Sequence, residues 1–262
     1  MPQQEPLVQT PAPPAGARLL LASPRTATAV LALSMVAWAF LAWMVVDMSH
    51  PLAQLIMPAS SDWSAATTVA VVALWAVMMA AMMLPAALPM ILAFADLSRR
   101  GGDSHRGAAF AGAYLAIWTV FSLAAAAAQW GLQAMGWVNP MVVSHSAFLS
   151  AALLLIAGIY QFSPLKRACL ARCRTPMGFL IGEWRAGLRG AAVMGLRHGL
   201  LCLGCCWALM LLLFVGGAMN LAWIAALSLA IAIEKLAPGG QRIAMMLGAG
   251  LIVAAAARLL MM

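Results

Sequence analysis

A histidine and three cysteines lie close together at the start of the fifth apolar stretch of this sequence. They are His198, Cys202, Cys205 and Cys206. On a helix, the first three would fall within roughly 60° of one another, and Cys206 would lie about one residue step further round. A single cysteine is more often a small buried apolar residue. An imidazole and several thiols on one helical face indicate metal binding or redox chemistry, with plain packing as the alternative.

A second sulfur-rich group is a ladder of methionines in the second apolar stretch. Met79 and Met83 are four residues apart, and Met90 returns to the same helical face. Methionine often fills gaps in a core, but the thioether is also a soft, uncharged ligand suited to Cu(I). Pro85 and Pro89 each free a backbone carbonyl and can bend the helix. The pattern predicts a bent helix whose methionines either bind metal or pack in the core.

Cys169 and Cys173 form a third group, in the basic segment after the fourth apolar stretch. The two thiols share a face if the segment is helical. Four basic residues surround them in the sequence: Lys166, Arg167, Arg172 and Arg174. Such charges favour the thiolate, which is the form that binds metal. The alternative is a basic segment at the lipid surface with two incidental cysteines.

The elements that must position these groups are transmembrane helices. Hydrophobic residues make up 65% of the chain and charged residues 8%, whereas a soluble domain carries roughly 25% charged residues. In hydrocarbon, backbone polar groups must be paired within helices or closed barrels. Apolar runs of about 17 to 25 residues fit crossing helices and not the shorter alternating strands of a barrel. The sequence therefore predicts an all-α, polytopic transmembrane helical bundle.

The bundle is expected to have about seven spans, or six. The predicted spans cover residues 26–46, 67–94, 108–130, 146–162, 200–217, 221–233 and 243–260. With the N-terminus inside, 14 of the 15 Lys and Arg residues fall in inner segments and none in outer loops. Because inner loops carry the positive charge, the N-terminus is predicted to be cytoplasmic.

The net charge of +8 is explained by this orientation and by attraction to anionic lipid. The basic loops are short and lack stacking aromatic residues, so nucleic acid is not an expected partner. Residues 1–24 contain six prolines, which predicts a disordered cytoplasmic tail. Residues 25–262 form the predicted transmembrane domain.

Small residues spaced four apart indicate where helices can approach closely in lipid. Two such pairs are Gly195 with Gly199 and Ala108 with Gly112. Plain packing is a sufficient explanation for both.

Three strings of the sequence resemble a known family. They are Ala80-Ala-Met-Met-Leu-Pro85, Tyr160-Gln-x-x-Pro-Leu-Lys166-x-x-Cys169-Leu-x-x-Cys173-Arg174, and His198-Gly-x-x-Cys202-x-Gly-Cys205-Cys206-Trp207. They are similar to those of a bacterial family of predicted metal-binding integral membrane proteins of unknown function. The resemblance covers most of the chain, from about the first span to the last. It implies a multi-pass protein of the bacterial inner membrane with suspected metal ligands and no settled activity.

We interpret the sequence as that of a copper-handling membrane protein, which transports or delivers Cu(I) or helps to metallate a membrane cuproenzyme. The candidate metal ligands are His198, Cys202, Cys205, Cys206, Met79, Met83, Met90, Cys169 and Cys173. Thiols and thioethers select soft ions such as Cu(I), and zinc is less favoured because its tetrahedral sites use no thioether. Expected partners are the lipid bilayer and a membrane cuproenzyme or copper-carrier protein. The sequence is also compatible with an oligomer or with a subunit of a larger complex.

Two other functions remain open. An intramembrane thiol-disulfide oxidoreductase could use the C-x-x-C spacing of Cys202 and Cys205, although both cysteine groups are predicted on the inner, reducing side. A structural or accessory subunit of a larger membrane complex would need no chemistry from its sulfur. The sequence contains no hydrolase triad and no phosphate loop, so an enzyme is not the favoured interpretation.

Overall fold

The computed structural model describes residues 23–103 and 105–261, and within them the chain is built from helices and turns. Over these residues the structure contains no strand beyond an isolated bridge between Val138 and Ser144. The prediction of an all-α fold is confirmed. The predicted disordered tail lies outside the described residues, apart from Ser23 and Pro24, and stays a prediction.

The described ranges contain eleven helices. In chain order they are α1 (Pro24–Val46), α2 (Pro51–Ile56), α3 (Ala65–Arg100), α4 (Arg106–Ala134), α5 (Ala147–Tyr160), α6 (Pro164–Cys173), α7 (Pro176–Glu183), α8 (Gly187–Met210), α9 (Leu213–Gly216), α10 (Leu221–Leu236) and α11 (Gly240–Leu260).

Several of these helices are long and apolar enough to cross a membrane. Five candidate spans are formed by α1, α3, α4, α8 together with α9, and α11. A sixth results if α5 and α6, which meet at a bend of 65°, are one broken span. Helix α10 has 16 residues, fewer than the roughly 20 of a typical crossing helix. The helices are therefore compatible with a membrane protein of five or six spans, and a count of seven is not confirmed.

Helix α8 begins earlier than the sequence suggested. The predicted span started at residue 200, but the helix starts at Gly187. Arg189 and Arg197 indicated a loop, yet both are exposed on the helix surface, where their charges need no burial. The stretch from His198 to Cys206 consequently lies within a long helix and not at its start.

Helices α4 and α8 pack most extensively against each other, and two glycines of α8 allow this contact. A Cβ atom on Gly195 would overlap the backbone carbonyl oxygen of Phe110, and one on Gly199 would lie 2.8 Å from Cγ1 of Ile117. The close approach predicted for this glycine pair is confirmed. The second predicted pair, Ala108 and Gly112, shows no close approach at its glycine, because a Cβ atom on Gly112 would meet nothing within 4 Å.

Proline 85 explains how α1 docks on α3. Both Pro85 and Pro89 lie inside α3, and a proline leaves the carbonyl four residues earlier without its helical donor. For Pro85 this is the carbonyl of Ala81, which accepts hydrogen bonds from Ser34 Oγ at 3.2 Å and Trp38 Nε1 at 3.1 Å. Two polar side chains of α1 therefore satisfy the oxygen that the proline exposes.

Candidate metal centre

Three thiols of α8 form the centre of the candidate site. Cys202, Cys205 and Cys206 are buried, and their side chains are close enough to interact electrostatically with one another. The Sγ atom of Cys206 lies 3.9 Å from the Sδ atom of Met83 on α3. The structure therefore joins the methionine ladder to the cysteine cluster at one point, where a thioether meets a thiol from a separate helix.

The thiols are held by hydrogen bonds from and to their surroundings. Cys205 Sγ and Cys206 Sγ donate to the backbone carbonyl of Cys202, at 3.0 and 2.9 Å. Cys202 Sγ lies 3.1 Å from the hydroxyl of Tyr114 on α4 and accepts from Lys235 Nζ on α10 at 2.8 Å. Tyr114 of α4 and Lys235 of α10 therefore help to determine where the sulfur atom of Cys202 lies.

The cysteines of α6 belong to the same cluster. Cys173 is close enough to Cys205 for the two thiols to interact electrostatically. Cys169 packs directly against α8, where its Sγ atom would lie 2.8 Å from a Cβ atom on Gly204. All five cysteines of the chain are free thiols in the structure. The two groups that the sequence presents separately are therefore one sulfur cluster between α6 and α8.

An ion pair buried between helices fixes α6 against α10. Lys166 Nζ donates to Glu234 Oε2 at 2.6 Å, and Gln161 Nε2 donates to Glu234 Oε1 at 3.1 Å. Arg174 donates to the backbone carbonyls of Glu234 and Ala237 at 2.6 and 2.5 Å. Lys166 and Arg174 were expected to favour the thiolate form of the cysteines on α6, but both bind α10 instead. Their role in the Tyr160–Arg174 string is to dock the helix that carries Cys169 and Cys173.

His198 is surrounded by aromatic rings. Its imidazole lies 5.9 Å from the Phe110 ring, 5.5 Å from the Tyr114 ring and 5.6 Å from the Phe179 ring, measured between centroids. It is buried, and its Nδ1 atom has no hydrogen-bond partner. The contacts described for His198 are thus with rings, and Tyr114 is the residue that links it to Cys202.

The three methionines of the predicted ladder are buried, but they differ in what they reach. Met79, Met83 and Met90 are all inaccessible to solvent in α3. The contact with a thiol is made by Met83, whose backbone carbonyl also accepts a hydrogen bond from Tyr114 at 3.2 Å. Met83 is therefore the methionine best placed to act together with the cysteines.

Sequence reasoning missed Lys235 and Tyr114. Lys235 is one of the basic residues that the predicted topology places on the inner side, but its side chain is buried against Cys202. A signal was present for Lys235, because a lysine directly follows Glu234 at the end of an apolar helix. Ionisable residues in such positions are functional candidates by default.

The donor atoms of the cluster are of the soft type that Cu(I) prefers, but the structure does not arrange them as a metal site. Within the described ranges, no group of three or more His, Cys, Asp or Glu side chains stands in an arrangement that could hold a metal ion. The thiols of Cys205 and Cys206 are directed instead to the backbone oxygen of Cys202. If Cu(I) were bound here, the thiol of Cys206 would lose its proton, and its thiolate beside the thioether of Met83 would supply the soft ligands that Cu(I) prefers.

Comparison with known proteins identifies the family of the chain. No match was found among curated proteins or among solved structures. A family model described as PpoB2, copper chaperone, matches residues 72–258. The matched region begins in α3 and ends in α11, so it contains the methionine ladder, all five cysteines and Lys235. The resemblance to a metal-binding family is therefore confirmed, and the chain belongs to the PpoB2 copper chaperone family.

Proposed function

We propose that this protein holds Cu(I) between α3 and α8 and delivers it to a membrane cuproenzyme or a copper-carrier protein. The observation that carries the proposal is the 3.9 Å contact between Cys206 Sγ and Met83 Sδ, beside the thiol of Cys202. Membership of a copper chaperone family supports a copper-related role. The soft ligands and their burial together favour Cu(I) as the cargo.

The remaining predicted ligands would provide routes to and from this centre. Cys173 and Cys169 extend the thiols along α6, and Met79 and Met90 extend the thioethers along α3. His198 is one helical turn from Cys202, and its unpartnered Nδ1 is a candidate transient ligand. Copper would then pass between weak and strong ligands without entering water.

Replacing Cys202 and Cys206 with serine tests this function. The hydroxyl is a hard, weak ligand for Cu(I), so we expect Cys202→Ser/Cys206→Ser to retain less than about a tenth of the wild-type copper. Met83→Leu should weaken copper retention less, since one thioether is lost and both thiolates stay. Metal analysis of the purified proteins after Cu(I) loading measures both effects.

Met35→Leu is the matched control for Met83→Leu. Met35 is exposed on α1, and its replacement should leave the copper content unchanged. Equal copper in the wild type and in the double serine variant would contradict the proposed function.

We further propose a topology of seven crossings in the bacterial inner membrane, with the N-terminus in the cytoplasm. The basis is the placement of positive charge on one side, and α10 would be the seventh and shortest crossing. A tag at the N-terminus or within residues 174–186 should then be inaccessible to an impermeant label in sealed cells. Tags within residues 47–64 or 135–146 should be labelled. Labelling of the N-terminal tag from outside would refute this orientation.

A second candidate function is thiol redox chemistry. The observation that favours it is the proximity of Cys173 and Cys205, which come from separate helices. Oxidation of these two thiols to a disulfide would release two protons and transfer two electrons to a quinone. Alkylation trapping separates the two functions, because a copper site stays reduced while a redox relay shows a mixture of thiol and disulfide.

A further inference from the structure

Lys235 has an unusual environment for a charged side chain. The residue is 6% exposed, and its Nζ atom donates to Cys202 Sγ at 2.8 Å. Lys235 takes part in none of the ion pairs formed within the described residues. The adjacent carboxylate of Glu234 is engaged by Lys166 and Gln161. The ammonium group of Lys235 therefore faces sulfur and not a carboxylate.

The groups around this ammonium come from two other helices. Cys202 of α8 accepts the hydrogen bond from Lys235, and the hydroxyl of Tyr114 on α4 lies 3.1 Å from the same sulfur atom. A buried ammonium requires a negative partner, because an uncompensated charge away from water is costly. The groups that can supply negative charge here are the same thiols that would bind the metal.

The charges of a loaded site can be counted from these residues. When Cu(I) binds to Cys202 and Cys206, each thiol gives up its proton. One positive ion with two thiolates and the neutral thioether of Met83 carries a net charge of minus one. The ammonium of Lys235 makes the buried assembly neutral. A divalent ion with the same ligands would be neutral by itself, and Lys235 would then leave an uncompensated positive charge.

We infer that Lys235 determines specificity at this site by favouring a monovalent soft ion over a divalent one. The inference rests on the proposed copper function and adds the reason for selecting Cu(I) over Zn(II). Thiolates alone do not make this distinction, since they bind both ions. The fixed positive charge of Lys235 beside Cys202 distinguishes the two ions, because it balances the negative charge of the Cu(I) site and is left uncompensated beside a neutral Zn(II) site.

The effect of this charge should be large because the site is buried. A unit charge acting over about 4 Å at an effective dielectric constant near 20 changes an affinity by up to about a thousandfold. Allowing for relaxation around a removed side chain, we expect the ratio of Cu(I) to Zn(II) affinity to change by on the order of a hundredfold.

Competition with chelators, on the full-length protein in detergent, measures the two affinities. Lys235→Met should lower the ratio of Cu(I) to Zn(II) affinity by on the order of a hundredfold. Lys235→Arg keeps the charge and should keep the ratio within about threefold of the wild type. Lys235→Met/Cys206→Met should recover Cu(I) binding relative to Lys235→Met, because removal of one thiolate restores a neutral assembly. A role in packing alone would not give this recovery.

An unchanged ratio in a folded Lys235→Met protein would overturn the inference. If that variant does not fold, the wild type still provides a test with Ag(I) and Cd(II), which are soft ions of different charge. Preference for Ag(I) supports the inference, and equal or tighter binding of Cd(II) overturns it. Failure of the proposed function is recognised separately, since Cys202→Ser/Cys206→Ser would then retain copper.

Discussion

Glu234→Gln is expected to lower the free energy of unfolding by about 3–5 kcal/mol, the cost of leaving a buried charge without its partner. The side chains of Lys166 and Glu234 are 1% and 2% exposed, and their charged atoms are 2.6 Å apart. Glutamine keeps the shape and loses the charge, so the ammonium of Lys166 would stay buried and uncompensated. Denaturation of the purified protein in detergent measures the change.

The pair formed by Glu183 and Arg197 is the matched control. Its side chains are 30% and 45% exposed, and an ion pair in contact with solvent contributes at most about 1 kcal/mol. Glu183→Gln should therefore change the free energy of unfolding by no more than that amount. Replacing both Lys166 and Glu234 with methionine should recover most of the lost stability, because an apolar pair leaves no unpaired charge. A cost for Glu234→Gln as small as that for Glu183→Gln would contradict this account.

Gly195→Ala is expected to destabilise the protein by about 3 kcal/mol, the upper end of the range for overpacking a core. The added Cβ atom would overlap the backbone carbonyl oxygen of Phe110, and a backbone atom cannot move aside as a flexible side chain can. Helices α4 and α8 would have to separate. Since Tyr114 of α4 contacts Cys202 of α8, weaker copper binding should accompany the loss of stability.

Gly112→Ala on α4 is not expected to destabilise the protein. A Cβ atom there would meet nothing within 4 Å, and alanine is a better helix former than glycine by up to about 1 kcal/mol. The substitution should be neutral or slightly stabilising. Thermal unfolding of the two variants side by side tests the contact, and equal effects would show that α4 and α8 do not approach as closely as described.

Properties that depend on composition and local spacing could be predicted from the sequence. The apolar runs predicted helices, and the described residues are mostly helical. The spacing of Cys202, Cys205 and Cys206 predicted that they lie close together on one helix, and all three are buried on α8. The glycine pair of α8 predicted a close helix contact, which α4 provides.

The sequence prediction failed where the position of a charged residue was inferred without knowing which residue it contacts in the folded protein. Arg189 and Arg197 suggested a loop, although both lie on the exposed side of α8. Lys166 was assigned to a basic segment beside thiols, but it pairs with Glu234 of α10. The charge of a residue does not reveal whether a distant partner exists, and the partner decides whether that charge can be buried.

The sequence by itself determined the helices, the faces on which sulfur lies and the soft character of the candidate ligands, because these follow from residue type and from the 3.6-residue period of a helix. Only the tertiary structure decided that Met83 meets Cys206, that Lys235 donates to Cys202, and that His198 lies among aromatic rings. Each of these contacts joins residues from separate helices. In lipid such contacts depend on how closely the helices pack, which no local pattern of residues specifies.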